Sequence, residues 1–140
     1  MDDKLHLTYD VSGGDFTSCG KASESVKYKL KQLGVSSDAI RRAAIAMYEG
    51  EVNMVIHAGG GAAAVDIFED HVEITLTDCG PGIADVEAAM REGYSTAGEA
   101  IRELGFGAGM GLPNMKRYSD EMKINTKVGE GTAVFLRINF

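Results

Sequence analysis

The placement of glycine constrains this fold more than any other feature of the sequence. The chain has 18 glycines in 140 residues, bunched at 59–61, 80–82, 105–111 and 129–131. Glycine weakens helices and strands from within, so such clusters mark turns or places where a backbone closely approaches a ligand. Phe106 and Met110 interrupt the longest cluster. This favours a folded loop over a flexible linker, because linkers are polar and repetitive.

Between the clusters, the apolar residues follow strand or helix periodicity. Alternation at Leu5, Leu7, Tyr9 and Val11 predicts a first strand. Helices are predicted over residues 15–33, from Ser36 or Ser37 to about Ala58, around 85–91, and from Pro113; strands are predicted over 63–68, 72–77, 122–128 and 132–140. This order predicts one α+β domain over residues 1–140. It is a two-layer sandwich in which helices cover one face of a mixed, mostly antiparallel sheet.

Charge and composition exclude several classes of protein. The formal net charge of −7 argues against nucleic-acid binding, which needs clustered Lys and Arg. No apolar run has the length of a membrane helix, and the start lacks the apolar stretch of a signal peptide, so we expect a cytoplasmic protein without membrane contact. Cys19 and Cys79 stand apart without a nearby ligand pattern, which indicates two reduced thiols.

One helix carries a candidate catalytic pair. Glu49, Asn53 and His57 are spaced four residues apart and share a helical face. An Asn carbonyl oxygen can coordinate Mg²⁺, and a Glu can polarise an attacking hydroxyl or water. The alternative is a solvated polar stripe. Glu51 points elsewhere, and we expect it to be such a solvent-facing residue, while Gly50 should loosen the helix beside Glu49.

A carboxylate follows the third predicted strand, in the sequence Asp78-Cys79-Gly80-Pro81-Gly82. Such a group can accept a hydrogen bond from an adenine amino group while the glycines let the backbone come close. The alternative is a plain turn, which explains the Gly and Pro but leaves the Asp unexplained.

The glycine-rich segment 105–111 precedes the helix predicted from Pro113. Backbone N–H groups of such a loop, together with a helix N-terminus, can bind phosphate. No Lys-Ser or Lys-Thr follows these glycines, which excludes a P-loop, and Leu112 breaks the dinucleotide pattern after Gly107 and Gly109.

These motifs, in this order, resemble the GHKL superfamily of ATPases and kinases. They are Glu49-xxx-Asn53, "DCGPGI" at 78–83, "GFGAGMGLPNM" at 105–115 and "GEGT" at 129–132. Within it, "REGYSTAG" and "GAGMGLPNMKR" are most similar to the anti-sigma factors and switch serine/threonine kinases of the RsbW, RsbT and SpoIIAB type. The resemblance implies a Bergerat-type ATP-binding fold. The chain departs from it at Cys79, where a polar residue is more usual, and in the short segment between Ile83 and Gly105.

The resemblance also implies the roles of individual residues. Glu49 would be the general base, Asn53 would hold Mg²⁺, and Asp78 would bind the adenine amino group. Further ATP-binding residues would be His57, Gly80, Gly82, Ile83, Ser95, Thr96, Gly105, Gly107, Ala108, Gly109, Met110, Gly111, Leu112 and Thr132. Among them, Gly107, Gly109 and Gly111 would lie over the phosphates.

The resulting function would be an ATP- and Mg²⁺-dependent serine/threonine protein kinase and anti-sigma-type regulator. Its substrate would be a STAS-domain anti-anti-sigma protein in a partner-switching circuit, with a sigma factor or a phosphatase as further candidate partners. The alternatives are a non-catalytic, nucleotide-gated anti-sigma module and a histidine-kinase-like ATPase domain. Relatives often form homodimers, and the sequence leaves that point open.

Overall fold

A computed structural model of the chain describes residues 5–14, 19–57, 59–80, 82, 90 and 111–140. Within these ranges lie the strands β1 (Leu5–Ser12), β2 (Gly60–Ile67), β3 (His71–Asp78), β4 (Glu121–Lys127) and β5 (Gly131–Asn139). The helices are α1 (Lys21–Gln32), α2 (Ser37–His57) and α3 (Gly111–Tyr118). No helix in this part of the chain combines the length and apolar character needed to cross a bilayer.

The five described strands form one sheet in the order β1-β2-β3-β5-β4. All four pairings are antiparallel, so the described part of the sheet is antiparallel throughout rather than mixed. Two of these pairings, β2–β3 and β4–β5, are hairpins closed by residues 68–70 and 128–130, and such short connections require antiparallel strands. The predicted α+β sandwich is confirmed.

One face of the sheet forms the core with the helices. Val65, Ile74 and Leu136 lie side by side across β2, β3 and β5 and are fully buried. Against this layer pack Met47 of α2 and Met115 of α3, also nearly or fully buried. The opposite face carries polar residues such as Asp66, Glu73 and Arg137 together with alanines and Phe135, and it is more exposed.

The first helix is shorter at its start than the periodicity predicted. The structure describes a turn at Cys19 and Gly20, and α1 begins at Lys21. Gly20 has φ 97°, a left-handed conformation that an α-helix cannot contain. Residues 15–18, and residues 85–89 and 91 of the predicted short helix, lie outside the described ranges.

Gly50 has a packing role rather than the loosening role expected from its helix propensity. It is buried on the side of α2 that faces the sheet, and a Cβ built there would lie 2.1 Å from Leu76 Cδ1 of β3. The absent side chain therefore lets α2 approach the sheet at the turn that carries Glu49.

Candidate nucleotide site

Glu49 lies on α2, partly buried, and faces α3. Its Oε1 accepts a 3.3 Å hydrogen bond from Nδ2 of Asn114. Burial raises the pKa of the Glu49 carboxyl, and the hydrogen bond from Asn114 opposes that rise. A carboxyl whose pKa is moved toward neutrality by burial is a frequent property of catalytic acids and bases. Glu49 is thus a half-desolvated carboxylate and not a member of a solvated stripe.

Asn53, one turn further along α2, lies against the first residue of α3. A Cβ built on Gly111 would be 2.9 Å from Asn53 Oδ1, so only glycine allows this approach without moving the amide. The amide Nδ2 lies 4.0 Å from Met115 Sδ as a weak donor. Among the described residues, Oδ1 accepts no hydrogen bond, which leaves a carbonyl oxygen for a ligand.

Asp78 ends β3 with a carboxylate that is anchored through one oxygen. Oδ1 accepts hydrogen bonds from the backbone N–H of Gly80 at 2.9 Å and of Thr132 at 3.2 Å. Oδ2 takes no hydrogen bond from the described part of the chain. The anchored oxygen fixes the side chain, and the other can accept a bond from a ligand.

Two glycines explain how this end of the sheet is assembled. A Cβ on Gly61 would lie 2.8 Å from Met54 Sδ and 3.2 Å from Asp78 Cα, so the turn of α2 beside Asn53 and the end of β3 meet at one glycine. Gly82 has φ 78°, and its Cβ would lie 2.5 Å from Lys127 O. A side chain at position 82 would collide with the backbone of Lys127, so the fold itself requires glycine there.

Thr132 and Leu112 take positions that limit what they can offer a ligand. Thr132 is 9% exposed, and its hydroxyl lies 2.8 Å from that of Thr126. The Leu112 side chain is 6% exposed and belongs to the core, so only its main chain can face a nucleotide.

The remaining predicted residues stay predictions. Ile83, Ser95, Thr96, Gly105, Gly107, Ala108, Gly109 and Met110 lie outside the described residues. His57 is the last residue of α2, one residue before the end predicted at about Ala58, and its side chain lies outside the described part of the structure.

Sequence reasoning missed Asn114, whose contact with Glu49 depends on how α2 and α3 pack. It was wrong about Glu51, which is 1% exposed. The Glu51 carboxylate accepts the backbone N–H groups of Gly20, Ala22 and Ser23 at the start of α1. One sign of this was available in the sequence, because the neighbours of Glu51 on its helical face are largely apolar, but the partner that it meets depends on how α1 and α2 pack.

Comparison with known proteins agrees with this geometry. The family described as histidine kinase-like ATPase domain matches residues 16–138. The chain is 34% identical over 108 residues to serine/threonine-protein kinase RsbT of Bacillus subtilis, covering 74% of this chain and 75% of the relative. It is 32% identical over 133 residues to the anti-sigma F factor of Pasteuria penetrans, covering 87% and 85%.

A solved structure supports the same assignment, and at this level of sequence identity it does so for the fold alone. The mycobacterial sensor histidine kinase MprB superposes with a TM-score of 0.54 at 19% identity, covering 96% of this chain and 97% of that one. The sequence motifs, the sheet order and these matches agree. The chain belongs to the histidine kinase-like ATPase domain family, with relatives named as a serine/threonine-protein kinase and as anti-sigma factors.

Proposed function

We propose that this protein is an ATP- and Mg²⁺-dependent serine/threonine protein kinase and anti-sigma-type regulator. The observation that carries the proposal is the pairing of Glu49 and Asn53 on α2 with the first turn of α3. It places a partly desolvated carboxylate four residues before an amide carbonyl oxygen that accepts no hydrogen bond from the described residues. Phosphoryl transfer uses a group that accepts the proton of the nucleophile or orients it, and a metal ion at the phosphates, and these two side chains could serve those ends.

The adenine end of the site would be formed by Asp78. Its Oδ1 is held by Gly80 and Thr132, and Oδ2 would accept a hydrogen bond from the adenine amino group. A guanine base carries a carbonyl oxygen at that position, and two acceptors would then face each other. The proposal therefore includes a preference for ATP over GTP. The glycine-rich segment 105–111 keeps its predicted role beside the phosphates.

Asn53 fits a magnesium ligand. Mg²⁺ prefers oxygen ligands and is usually held by one or two protein groups together with substrate phosphates. The Asn53 amide offers one such oxygen, and its Nδ2 is turned toward Met115 Sδ, which keeps Oδ1 available. When bound, the ion would neutralise charge that develops on the phosphates.

Glu49 would act as the general base. Its carboxylate would take the proton from a Ser or Thr hydroxyl as the hydroxyl oxygen bonds to the γ-phosphorus of ATP. The bond from that phosphorus to the β–γ bridging oxygen breaks, and ADP leaves. Partial burial suits this role, because it strengthens the carboxylate as a base relative to one in water.

The acceptor would be a STAS-domain anti-anti-sigma protein, with a sigma factor or phosphatase as a second partner. The kinase named serine/threonine-protein kinase RsbT and the relatives named anti-sigma F factor support this class of partner. Because these relatives are named as a kinase and as sigma-factor antagonists, we also propose a cytoplasmic location for the protein. A homodimer is a further part of this proposal.

A non-catalytic, nucleotide-gated anti-sigma module is the second candidate, since several relatives are named for sigma-factor antagonism. Labelled ATP, Mg²⁺ and a purified STAS protein would be incubated with the wild-type chain and with Glu49→Gln. Transfer to Ser or Thr by the wild type alone supports the kinase. ATP binding without transfer to any STAS protein offered would favour the module, and acid-labile label would indicate phosphohistidine.

A thermal-shift series tests the nucleotide site independently of transfer. ATP and ADP with Mg²⁺ should raise the unfolding midpoint, because a ligand of the native state stabilises it by mass action, and GTP should do so less. The absence of any shift with adenine nucleotides would contradict the proposal as a whole.

A further inference from the structure

The first turn of α3 contacts both residues of the proposed catalytic pair. Gly111 lies against the Asn53 amide, and Asn114, three residues later, donates to Glu49. Leu112 and Met115 of the same helix point into the core, at 6% and 1% exposure. The polar residue Asn114 therefore lies on the side of α3 that faces α2 at Glu49, while its neighbours fix the helix in place.

We propose that Asn114 is a positioning residue that holds the Glu49 carboxylate in its working orientation. The inference rests on the proposed function for the role of Glu49, although the contact itself does not. A Glu side chain has three rotatable bonds, and no described side chain of α2 hydrogen-bonds to the Glu49 carboxylate. One hydrogen bond to Oε1 orients the group and leaves Oε2 as the oxygen that would receive the substrate proton.

The chemistry of the pair suits this task. An amide N–H donor stabilises the ionised form of a carboxylate without adding charge, and bonds to an ionised group are stronger than neutral ones. Lys or Arg at this position would instead hold the carboxylate as an ion pair and weaken it as a base. Asn114 favours the ionised form of the carboxylate, and partial burial raises the pKa that this hydrogen bond lowers.

Among the described residues, neighbouring titratable groups add little to the effect of Asn114 on Glu49. Burial and the hydrogen bond from Asn114 are the two influences on the Glu49 pKa that come from the described residues. Tyr48, the adjacent titratable group on α2, is neutral at physiological pH, and Glu51 turns to the α1 N-terminus. Lys116 and Arg117 of α3 are exposed. A substitution at position 114 should therefore change the titration midpoint of the Glu49 carboxyl directly.

The test compares Asn114→Ala and Asn114→Asp with Asn125→Asp, a matched charge change at an exposed site on β4. The first readout is the ¹³C titration of the Glu49 side-chain carboxyl in nucleotide-free protein, assigned with Glu49→Gln. We expect the midpoint to rise in Asn114→Ala and to rise further in Asn114→Asp, where a second carboxylate faces the first. Asn125→Asp should leave it unchanged.

The second readout is kinetic. We expect kcat for transfer to fall roughly 10- to 100-fold in both Asn114 variants, as for other supporting residues of reactive groups, with little change in KM for ATP. An unchanged Glu49 midpoint in folded Asn114→Asp, or an unchanged kcat, would overturn the inference. If the Glu49 midpoint shifts in the Asn114 variants but the wild type transfers no phosphate, the result would support the contact and contradict the kinase proposal instead.

Discussion

Glu51 Oε1 accepts a 2.6 Å hydrogen bond from the backbone N–H of Ser23, in the first turn of α1. Its Oε2 accepts those of Gly20 and Ala22 at 3.0 and 3.3 Å. Gly20 occupies the N-cap position and has no side chain to satisfy these donors. A residue of α2 thus performs the capping that a local Ser or Asp normally provides, and its charge is favoured by the helix dipole. Glu51 therefore joins α1 to the turn of α2 between Glu49 and Asn53.

Glu51→Ala should be among the most destabilising single substitutions in this chain. It leaves three buried N–H groups without an acceptor and opens a void, for an expected loss of about 2–4 kcal/mol in the free energy of unfolding. Urea denaturation at neutral pH measures it. Glu24→Ala, at an exposed acidic position in the same turn of α1, is the control and should cost about 0.5 kcal/mol or less. Equal losses in the two variants would contradict the capping role.

Glu49→Gln should separate activity from stability. Removal of a general base lowers the rate of phosphoryl transfer by roughly 100-fold or more, and ATP binding should change little. If binding is lost with transfer, Glu49 has a structural role and the assignment as a base is wrong. A radiolabel transfer assay and calorimetric titration with ATP measure the two quantities.

The same variant should be more stable than the wild type at neutral pH. Burial raises the folded-state pKa of Glu49 above its unfolded value, so the native state holds its proton longer. Stability from this group therefore falls as the pH rises from the unfolded pKa of about 4.3 through the folded pKa, and the loss persists above it. Gln does not ionise and avoids that loss. Thermal unfolding of both proteins over acidic to neutral pH tests this: the difference should shrink toward low pH, and a constant difference would contradict it.

Gly111→Ala should impair nucleotide binding while the fold is retained. The added methyl group would meet the Asn53 amide at 2.9 Å and displace its oxygen, the proposed ligand of Mg²⁺. Gly111 does not have a positive φ, so alanine fits the backbone itself. We expect ATP affinity to fall roughly tenfold with Mg²⁺, which corresponds to about 1.4 kcal/mol, and much less without it, because only the metal-bound complex would use the Asn53 oxygen. Equal losses under both conditions would argue against the metal role of Asn53.

The two cysteines should differ in reactivity. Burial, and then the charge of Glu51, raise the pKa of the Cys19 thiol to about 11, whereas Cys79 is exposed. Because the thiolate is the reactive form, a disulfide reagent at mildly alkaline pH should modify Cys79 first and Cys19 only slowly. Cys79→Ser should remove the fast phase of thiol modification, and Cys19→Ser should leave that phase unchanged. Since Cys79 follows Asp78, ATP should also slow the fast phase.

Much of this molecule follows from local pattern. Alternation at Leu5 to Val11 predicts β1, and the apolar surface of the long helix predicts α2 to within a residue of its end at His57. The glycine clusters at 59–61 and 129–131 fall where β2 and β5 begin. These features depend on side-chain periodicity and backbone freedom, which short stretches of sequence carry by themselves. The start of α1 could not be predicted from local pattern, because it depends on the turn at Gly20 and on a cap supplied from α2.

The α+β class, the order of the described elements and the candidate residues Glu49, Asn53 and Asp78 could all be predicted from sequence patterns. The contacts that each side chain makes could be read only from the packed fold. Helical spacing placed Glu49 and Glu51 on different faces, but whether a face meets water, α1 or α3 depends on packing between elements distant in sequence. Glu51 therefore changed from an expected surface residue to a buried cap. Glu49 gained a partner in Asn114, 65 residues away along the chain, that no local pattern contains.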